Sequence, residues 1–401
     1  MERRESQAVF YNSACHGLVH FNELTYPAVL VLIASEFGSD LFLLGIVANI
    51  SAFAFGAGAL PAGFLSDRIG ERRLLYLCIL GAGVATLIVG LSPNLIVLSV
   101  VLAGLGMVLG LYHPAGAAFI TKVAKSPAMA FGYLGIGGNL GIAFGPFLAA
   151  SVAALLGWRA SYLVLVLPLL LLAALIYRLP QTEAAPIEPT PSRPDLEKMS
   201  SRSTVVPLVL IYLTNTLLGF IYRGSMTFLP LYIMDRVRFS LFNIDSVALA
   251  GSFTTIALLF GVAGSYLGGR LPKRGQLERW LMIAPIVLVP ALLVMGTTYG
   301  GVLMVAASVY AFSHFAGQPM LNALVAKYTP TRWRGRSYGI TFFCAFGLGS
   351  FAAGVSGYLA ENLGTNWVFI MLAGVGILMF ACVLVLVIMA PRWSTQEMTP
   401  S

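Results

Sequence analysis

Apolar runs of about twenty residues recur twelve times along this 401-residue chain, and a run of that length is what a helix needs to cross the hydrocarbon core of a bilayer. They fall near 9–35, 42–64, 74–92, 95–121, 128–156 and 159–179, then near 205–234, 244–269, 277–297, 301–326, 337–360 and 366–390. Inside hydrocarbon every backbone N–H and C=O must find a partner within the chain, which restricts such runs to helices. The expected fold class is all-α and integral to a membrane, with twelve transmembrane helices. Composition agrees: 58% hydrophobic and 10% charged residues with a mean hydropathy of +0.86 do not describe a soluble core. The start, Met1-Glu-Arg-Arg, carries the charge of a signal-peptide n-region, but the run behind it is too long, holds His16, His20 and Glu23, and lacks an A-x-A cleavage site. It is read as a retained first helix.

Between the sixth and seventh runs lies a polar segment, 180–204, with Pro186, Pro189, Pro191 and Pro194 among Glu, Ser, Lys and Arg, the composition of a solvated linker. Three domains are expected: an N-terminal six-helix bundle over 1–179, the linker, and a C-terminal six-helix bundle over 205–401. The halves also match in detail. Pro27 and Pro230, Arg68 and Arg270, and Pro114 and Pro319 are separated by 203, 202 and 205 residues, so three matches stand at nearly one offset, as a duplication requires. The two bundles are thus expected to be pseudo-symmetric about an axis along the membrane normal, with a binding site where they meet. Basic residues, Arg68, Arg72, Arg73, Lys273 and Arg274 among them, crowd the termini and the even-numbered loops, whereas the opposite loops hold only Arg159, Arg236 and Arg238. By the positive-inside rule both termini are cytoplasmic, and the chain is expected in a cell (inner) membrane as a multi-pass protein. The net charge of +8 is dealt out in these loops rather than gathered on one face, so no nucleic-acid partner is implied. Cys15, Cys78, Cys344 and Cys382 lie in apolar runs without CxxC spacing and read as packing residues, with neither a disulfide framework nor a zinc site.

The loop between the second and third runs reads Gly63-Phe-Leu-Ser-Asp67-Arg68-Ile-Gly70-Glu-Arg72-Arg73. It resembles the GxxxDRxGRR loop of the major facilitator superfamily at every key position but Glu71, where that family carries a basic residue. The resemblance implies the major facilitator fold and a cytoplasmic latch made of Gly63, Asp67, Arg68, Gly70, Arg72 and Arg73, with Asp67 accepting from a helix N-terminus and the arginines binding carboxylates. The corresponding second-half loop has Gly269 in the place of the acid. In the fifth run Gly132, Gly141, Gly145 and Pro146 stand in the spacing G-x8-G-x3-G-P, similar to the antiporter signature of proton-driven drug exporters, though Ala149 and Ala150 replace its final glycines. They are candidates for a hinge, and the same small residues suit a close-packed helix face. His20-Phe-Asn-Glu23 and Tyr112-His113-Pro114-Ala-Gly116 resemble pieces of the fosmidomycin-resistance branch.

An ionisable residue deep in a span is costly, about 2.5–3.5 kcal/mol for Asp, Lys or Arg at a helix centre, and marks function by default. Six such residues lie in runs 1, 4, 7 and 10: His16, His20, Glu23, His113, Arg223 and His314. His16, His20 and Glu23 stand at i, i+4 and i+7, within about 60° of one helix face. His314, Gln318 and Asn322 form a second stripe at i, i+4 and i+8, and the repeat offset sets Arg223 opposite His20. The expected roles are proton coupling for Glu23, His20, His16, His113 and His314, and substrate binding for Arg223, Gln318, Asn322, Tyr222 and Tyr26. An ion pair between Glu23 and Arg223 with a purely structural role stays open, as does a divalent-metal site on His16, His20 and Glu23, although no metal is assigned.

The functional expectation is a proton-coupled secondary transporter of a small organic solute, not an enzyme, working by alternating access, and an exporter by proton antiport. Proton-coupled uptake of an organic anion is the alternative, because an intramembrane Arg suits a carboxylate or phosphonate; divalent-metal transport is the third. No cofactor is expected beyond the proton gradient, and the partners are the solute and the lipid bilayer, with the protein a monomer. An ATP-driven pump is excluded because no Gly-Lys dipeptide exists for a Walker loop, and a zinc hydrolase because H-E-x-x-H is missing.

Overall fold

A computed structural model describes residues 3–124, 127–179, 201–237, 246–271, 276–329 and 334–395. Twelve of its helical stretches are long and apolar enough to cross a membrane, and no strand occurs among the described residues. The first half comprises α1 (Arg3–Phe37), α2 (Leu41–Ile69), α3 (Glu71–Gly90), α4 (Leu95–Gly110), α5 (Tyr112–Val123), α6 (Pro127–Leu156) and α7 (Trp158–Arg178). The second comprises α8 (Ser201–Arg236), α9 (Ser246–Arg270), α10 (Leu277–Thr297), α11 (Gly300–Tyr328), α12 (Arg334–Phe342), α13 (Phe351–Asn362) and α14 (Thr365–Thr395). The expected linker lies outside the described residues as far as residue 200; α8 already begins at Ser201 and so takes in the last four residues assigned to that linker.

Two spans are broken where the sequence suggests one helix. The fourth divides into α4 and α5 at Leu111, and Pro114 explains the position: its ring clashes with the carbonyl of the residue four earlier, Gly110, and it has no N–H to donate there. The eleventh passes from α12 through a π turn at Phe343–Gly347 and a 3₁₀ turn at Leu348–Ser350 before α13. There the chain is wedged between α2 and α8. A Cβ on Gly56 would lie 2.1 Å from the Gly347 nitrogen, and one on Gly219 2.0 Å from the Ala345 carbonyl oxygen. Backbone approaches backbone because neither glycine presents a side chain.

The packing repeats between halves. α1 against α6, α2 against α4 and α3 against α7 correspond to α8 against the π segment and α13, α9 against α11, and α10 against α14. The halves meet along two seams that the same symmetry exchanges, α2 with α13 and α6 with α9. Both are tight near the face that carries residues 38–40 and 157: Gly45 sits against the Ala353 carbonyl, Gly251 against the Pro146 carbonyl, and the Leu41 N–H donates to Glu361 Oε2 at 2.8 Å. The four-cysteine expectation holds in part, with Cys15, Cys78 and Cys344 buried and all four free.

Candidate functional site

The stripe on α1 becomes a connected chain of polar groups. Glu23 points toward α8, where Arg223 Nη2 donates to its Oε1 at 2.5 Å; the side chains are 4% and 7% exposed. The other carboxylate oxygen, Oε2, lies 2.8 Å from His20 Nδ1, His20 Nε2 lies 3.2 Å from His16 Nε2, and His16 Nδ1 lies 2.7 Å from the carbonyl oxygen of Leu134 on α6. One helix thus carries a polar path between the second half of the chain and the backbone of α6. The helical spacing of these residues requires a common face; their linkage end to end is a structural finding.

The glycines of α6 make the last link possible. A Cβ on Gly137 would lie 2.2 Å from the Ser13 carbonyl oxygen and one on Gly141 2.1 Å from that of Gly17, so α1 and α6 touch backbone to backbone. A Cβ on Gly138 would fall 2.4 Å from the His16 ring, which occupies the space a side chain would take. Gly141 is therefore a contact surface, and the helix continues through Gly145 and Pro146, the residues proposed as a hinge. Gly132 lies outside the described residues as regards its surroundings.

His113 closes the cluster from α5. Its ring centroid is 5.2 Å from that of His16 and 5.3 Å from that of His20, and it lies nearly parallel to Phe342 and Phe346 of the eleventh span, at 15° and 8°. The π turn thereby brings an aromatic platform from the second half onto a first-half histidine. His113 Nε2 is buried without a hydrogen-bond partner. Tyr112 stacks on His16 at 5.3 Å and donates its hydroxyl to the Asn12 carbonyl oxygen at 2.8 Å, which fixes α5 on α1. A small cavity of about 30 Å³ opens beside the pair, lined by Glu23, Arg223, Asn22, Tyr26, Ser51 and Phe55 among others.

Other expected members stand apart. His314 is fully buried, stacks on Tyr222 at 5.5 Å, and has neither ring nitrogen hydrogen-bonded, so it does not join the chain. Tyr222 also leaves its hydroxyl unpaired, whereas Tyr26 spends its own on the Leu44 carbonyl at 2.9 Å while lining the cavity. Among the described residues Gln318 and Asn322 make no hydrogen bond to Glu23, Arg223 or the histidines, and Asn322 is exposed. The break at Pro114 and the bend of the eleventh span aim other side chains at the centre, which a straight-helix offset does not anticipate. Of the residues in the metal reading, the Glu23 carboxylate is turned to Arg223, and the histidines that converge, with nitrogens within 4.8 Å, are His16, His20 and His113. At the 63–73 loop, Gly70 has φ +83° and precedes α3, while Arg72 donates to the carbonyls of Tyr177 (3.0 Å) and Leu179 at the end of α7. It binds unsatisfied helix-terminal carbonyls rather than the expected carboxylate. Arg68 and Arg73 are exposed; the side chains of Gly63 and Asp67 lie outside the described residues.

Residues 13–354 match the sequence family described as the Major Facilitator Superfamily. Over 291 residues the chain is 25% identical to a "Probable sugar efflux transporter" of Helicobacter pylori (strain G27), covering 71% of each protein. It is 27% identical over 227 residues to the "Multidrug resistance protein MdtG" of Proteus mirabilis (strain HI4320), covering 56% of this chain and 53% of that one. In three dimensions it matches a bacterial homolog of the human lysosomal transporter Spinster, crystallised in an inward-facing and occupied conformation. That match has a TM-score of 0.76 and 16% identity over 99% of both chains, a likeness of fold.

Proposed function

Because the chain belongs to the Major Facilitator Superfamily, we propose that this multi-pass membrane transporter is proton-coupled and exports a small organic solute by proton antiport. The observation that carries the reading is the double engagement of Glu23, held by Arg223 of the other half through one oxygen and by His20 of its own helix through the second. Burial favours the neutral acid and the guanidinium favours the carboxylate, so this group responds to whatever engages Arg223. When solute competes for Arg223, the pair loosens, the proton balance of the Glu23–His20–His16 group changes, and proton and solute occupy the centre in turn as the bundles rock about the site in alternating access. The energy source is the proton gradient.

Relatives named for sugar efflux and multidrug resistance support export. A second reading, proton-coupled uptake of an organic anion, is favoured by Arg223 itself, whose planar fork suits a carboxylate or phosphonate. In antiport the proton and the solute occupy the centre in turn; in uptake they occupy it together. The working unit is a monomer in the cell (inner) membrane, with both termini cytoplasmic and bundles 1–179 and 205–401 joined by the 180–204 linker. Proteoliposomes with an imposed pH gradient, screened with sugars, organic acids, phosphonates and amphipathic drugs, test this. The expected result is saturable flux of one class that reverses when the gradient is reversed. Flux that is non-saturable and indifferent to the gradient contradicts the proposal.

A further inference from the structure

The chain from Leu134 to Glu23 ends in an acceptor on both sides. A carbonyl oxygen only accepts, and an ionised carboxylate only accepts. Between them stand two imidazoles and three contacts of hydrogen-bond length: 2.7 Å from Leu134 O to His16 Nδ1, 3.2 Å between the two Nε2 atoms, and 2.8 Å from His20 Nδ1 to Glu23 Oε2. Three hydrogen bonds in series need three hydrogens, and two neutral imidazoles supply two. Without a third, both rings spend their single N–H on the outer acceptors, and two Nε2 lone pairs face each other at 3.2 Å with nothing between them. The arrangement is complete with one additional proton.

The position of that proton follows from charge. On Glu23 it would make a neutral acid, and Arg223, 6% exposed, would be a buried cation with no other ion-pair partner among the described residues. On the imidazoles it leaves the carboxylate ionised between two cations. We propose that this structure is the proton-loaded state, in which His16 and His20 share one proton, with Glu23 as their counter-charge and the Leu134 carbonyl as the terminal acceptor. The proposal rests on the proton-coupled reading and deepens it: one proton per centre, stored on a histidine pair instead of on the acid.

The surroundings are consistent with that assignment. α5 contributes His113, in ring contact with both histidines, and Tyr112, stacked on His16. α8 contributes Arg223 and, within electrostatic range of Glu23, Tyr222. α6 carries no acid, Lys, Arg or His and offers backbone, and the remaining helices packed on α1 place no ionisable side chain in hydrogen-bonding or ring contact with the pair among the described residues. A metal ion is the other cation that two facing lone pairs accept. Bonds of about 2.0–2.1 Å to each nitrogen would bring all three histidine nitrogens within roughly 3.4 Å of one another, a tighter cluster than the 4.8 Å within which those of His16, His20 and His113 lie. A proton fits the His16–His20 gap as it stands.

The test is magnetic resonance on the full-length protein in lipid nanodiscs, with ring ¹⁵N and side-chain carboxyl ¹³C labels, titrated from about pH 9 to pH 5, a range that brackets free histidine. The chain has four histidines, so each is separable. Uptake of one proton is expected, moving the His16 and His20 resonances together while Glu23 keeps the shift of an ionised carboxylate. His16→Gln, which can still donate to Leu134 but carries no proton, should abolish that uptake; His16→Phe checks the same point with a different shape. A shift of Glu23 to the neutral-acid position with both rings neutral overturns the proposal, as does independent titration of two protons. Stoichiometric perturbation of the three rings by zinc chloride, reversed by chelator, with no imidazolium at any pH, overturns it in favour of a metal. Gradient-driven transport measured on the same preparation separates the two levels: if it is present without the shared proton, the storage site is wrong and proton coupling stands; if it is absent in the wild-type protein, proton coupling itself fails.

Discussion

Arg223 on α8 and Glu23 on α1 meet at 2.5 Å, a buried ion pair that joins the two halves of the chain. Removing one member of such a pair leaves an uncompensated charge and costs about 3–5 kcal/mol, whereas removing both is often close to neutral. Arg223→Ala is therefore expected to lower unfolding stability by about that amount, and Glu23→Gln combined with Arg223→Gln to recover most of it without recovering transport. Denaturant unfolding and vesicle transport on the same proteins check this. Arg223→Lys retains the charge but not the planar fork and should lose transport.

Gly138 gives way to the ring of His16. An added Cβ would lie 2.4 Å from it, so Gly138→Ala is expected to displace His16 from the Leu134 carbonyl and abolish gradient-driven transport, with an overpacking cost of about 1–3 kcal/mol. At Gly141 the obstacle is the Gly17 backbone at 2.1 Å, which cannot swing aside as a ring can. Gly141→Ala should destabilise more strongly than Gly138→Ala under thermal unfolding; equal or reversed losses would contradict the packing account.

His314 has both ring nitrogens buried and unpaired between Tyr222 and Tyr310. His314→Phe preserves the ring and removes two unsatisfied polar atoms, each of which costs about 1–3 kcal/mol when buried. The variant is expected to be at least as stable as the parent and to keep its gradient-driven transport. Loss of coupling would return His314 to the proton path.

At the 63–73 loop, Arg72→Ala removes the donor to the carbonyls of Tyr177 and Leu179 and should cost about 1–3 kcal/mol of stability with solute affinity unchanged. Asp67→Asn, by contrast, is expected to slow turnover while calorimetric affinity stays intact, because a latch residue acts on the transition between states. A tenfold loss of affinity with normal exchange would remove the latch role.

Span number, helix class and the stripe on α1 were legible in the sequence because each depends on a local regularity: run length for the spans, and the 3.6-residue period for His16, His20 and Glu23. The partners that turn the stripe into a chain were not. Leu134 contributes a backbone carbonyl, which has no residue signature, and its only trace is the Gly137-Gly138 doublet that permits close approach. Phe342 and Phe346 reach His113 through a π turn set by contacts with α2 and α8 some 120 to 290 residues away in sequence, beyond any local pattern. The repeat offset correctly set Arg223 near the first-helix stripe. The two halves are not exact copies, since the span of Pro114 breaks at Leu111 while α11 runs through Pro319.

Proton coupling through the Glu23 centre is tested most directly by Glu23→Gln, assayed two ways in one batch of vesicles: uphill transport under a pH gradient, and solute-for-solute exchange without one. The expected result is loss of uphill transport with exchange retained, because the amide preserves the shape of the acid but provides no counter-charge for a proton on His16 and His20. Undiminished uphill transport by Glu23→Gln would contradict the account and leave Glu23 as a structural partner of Arg223.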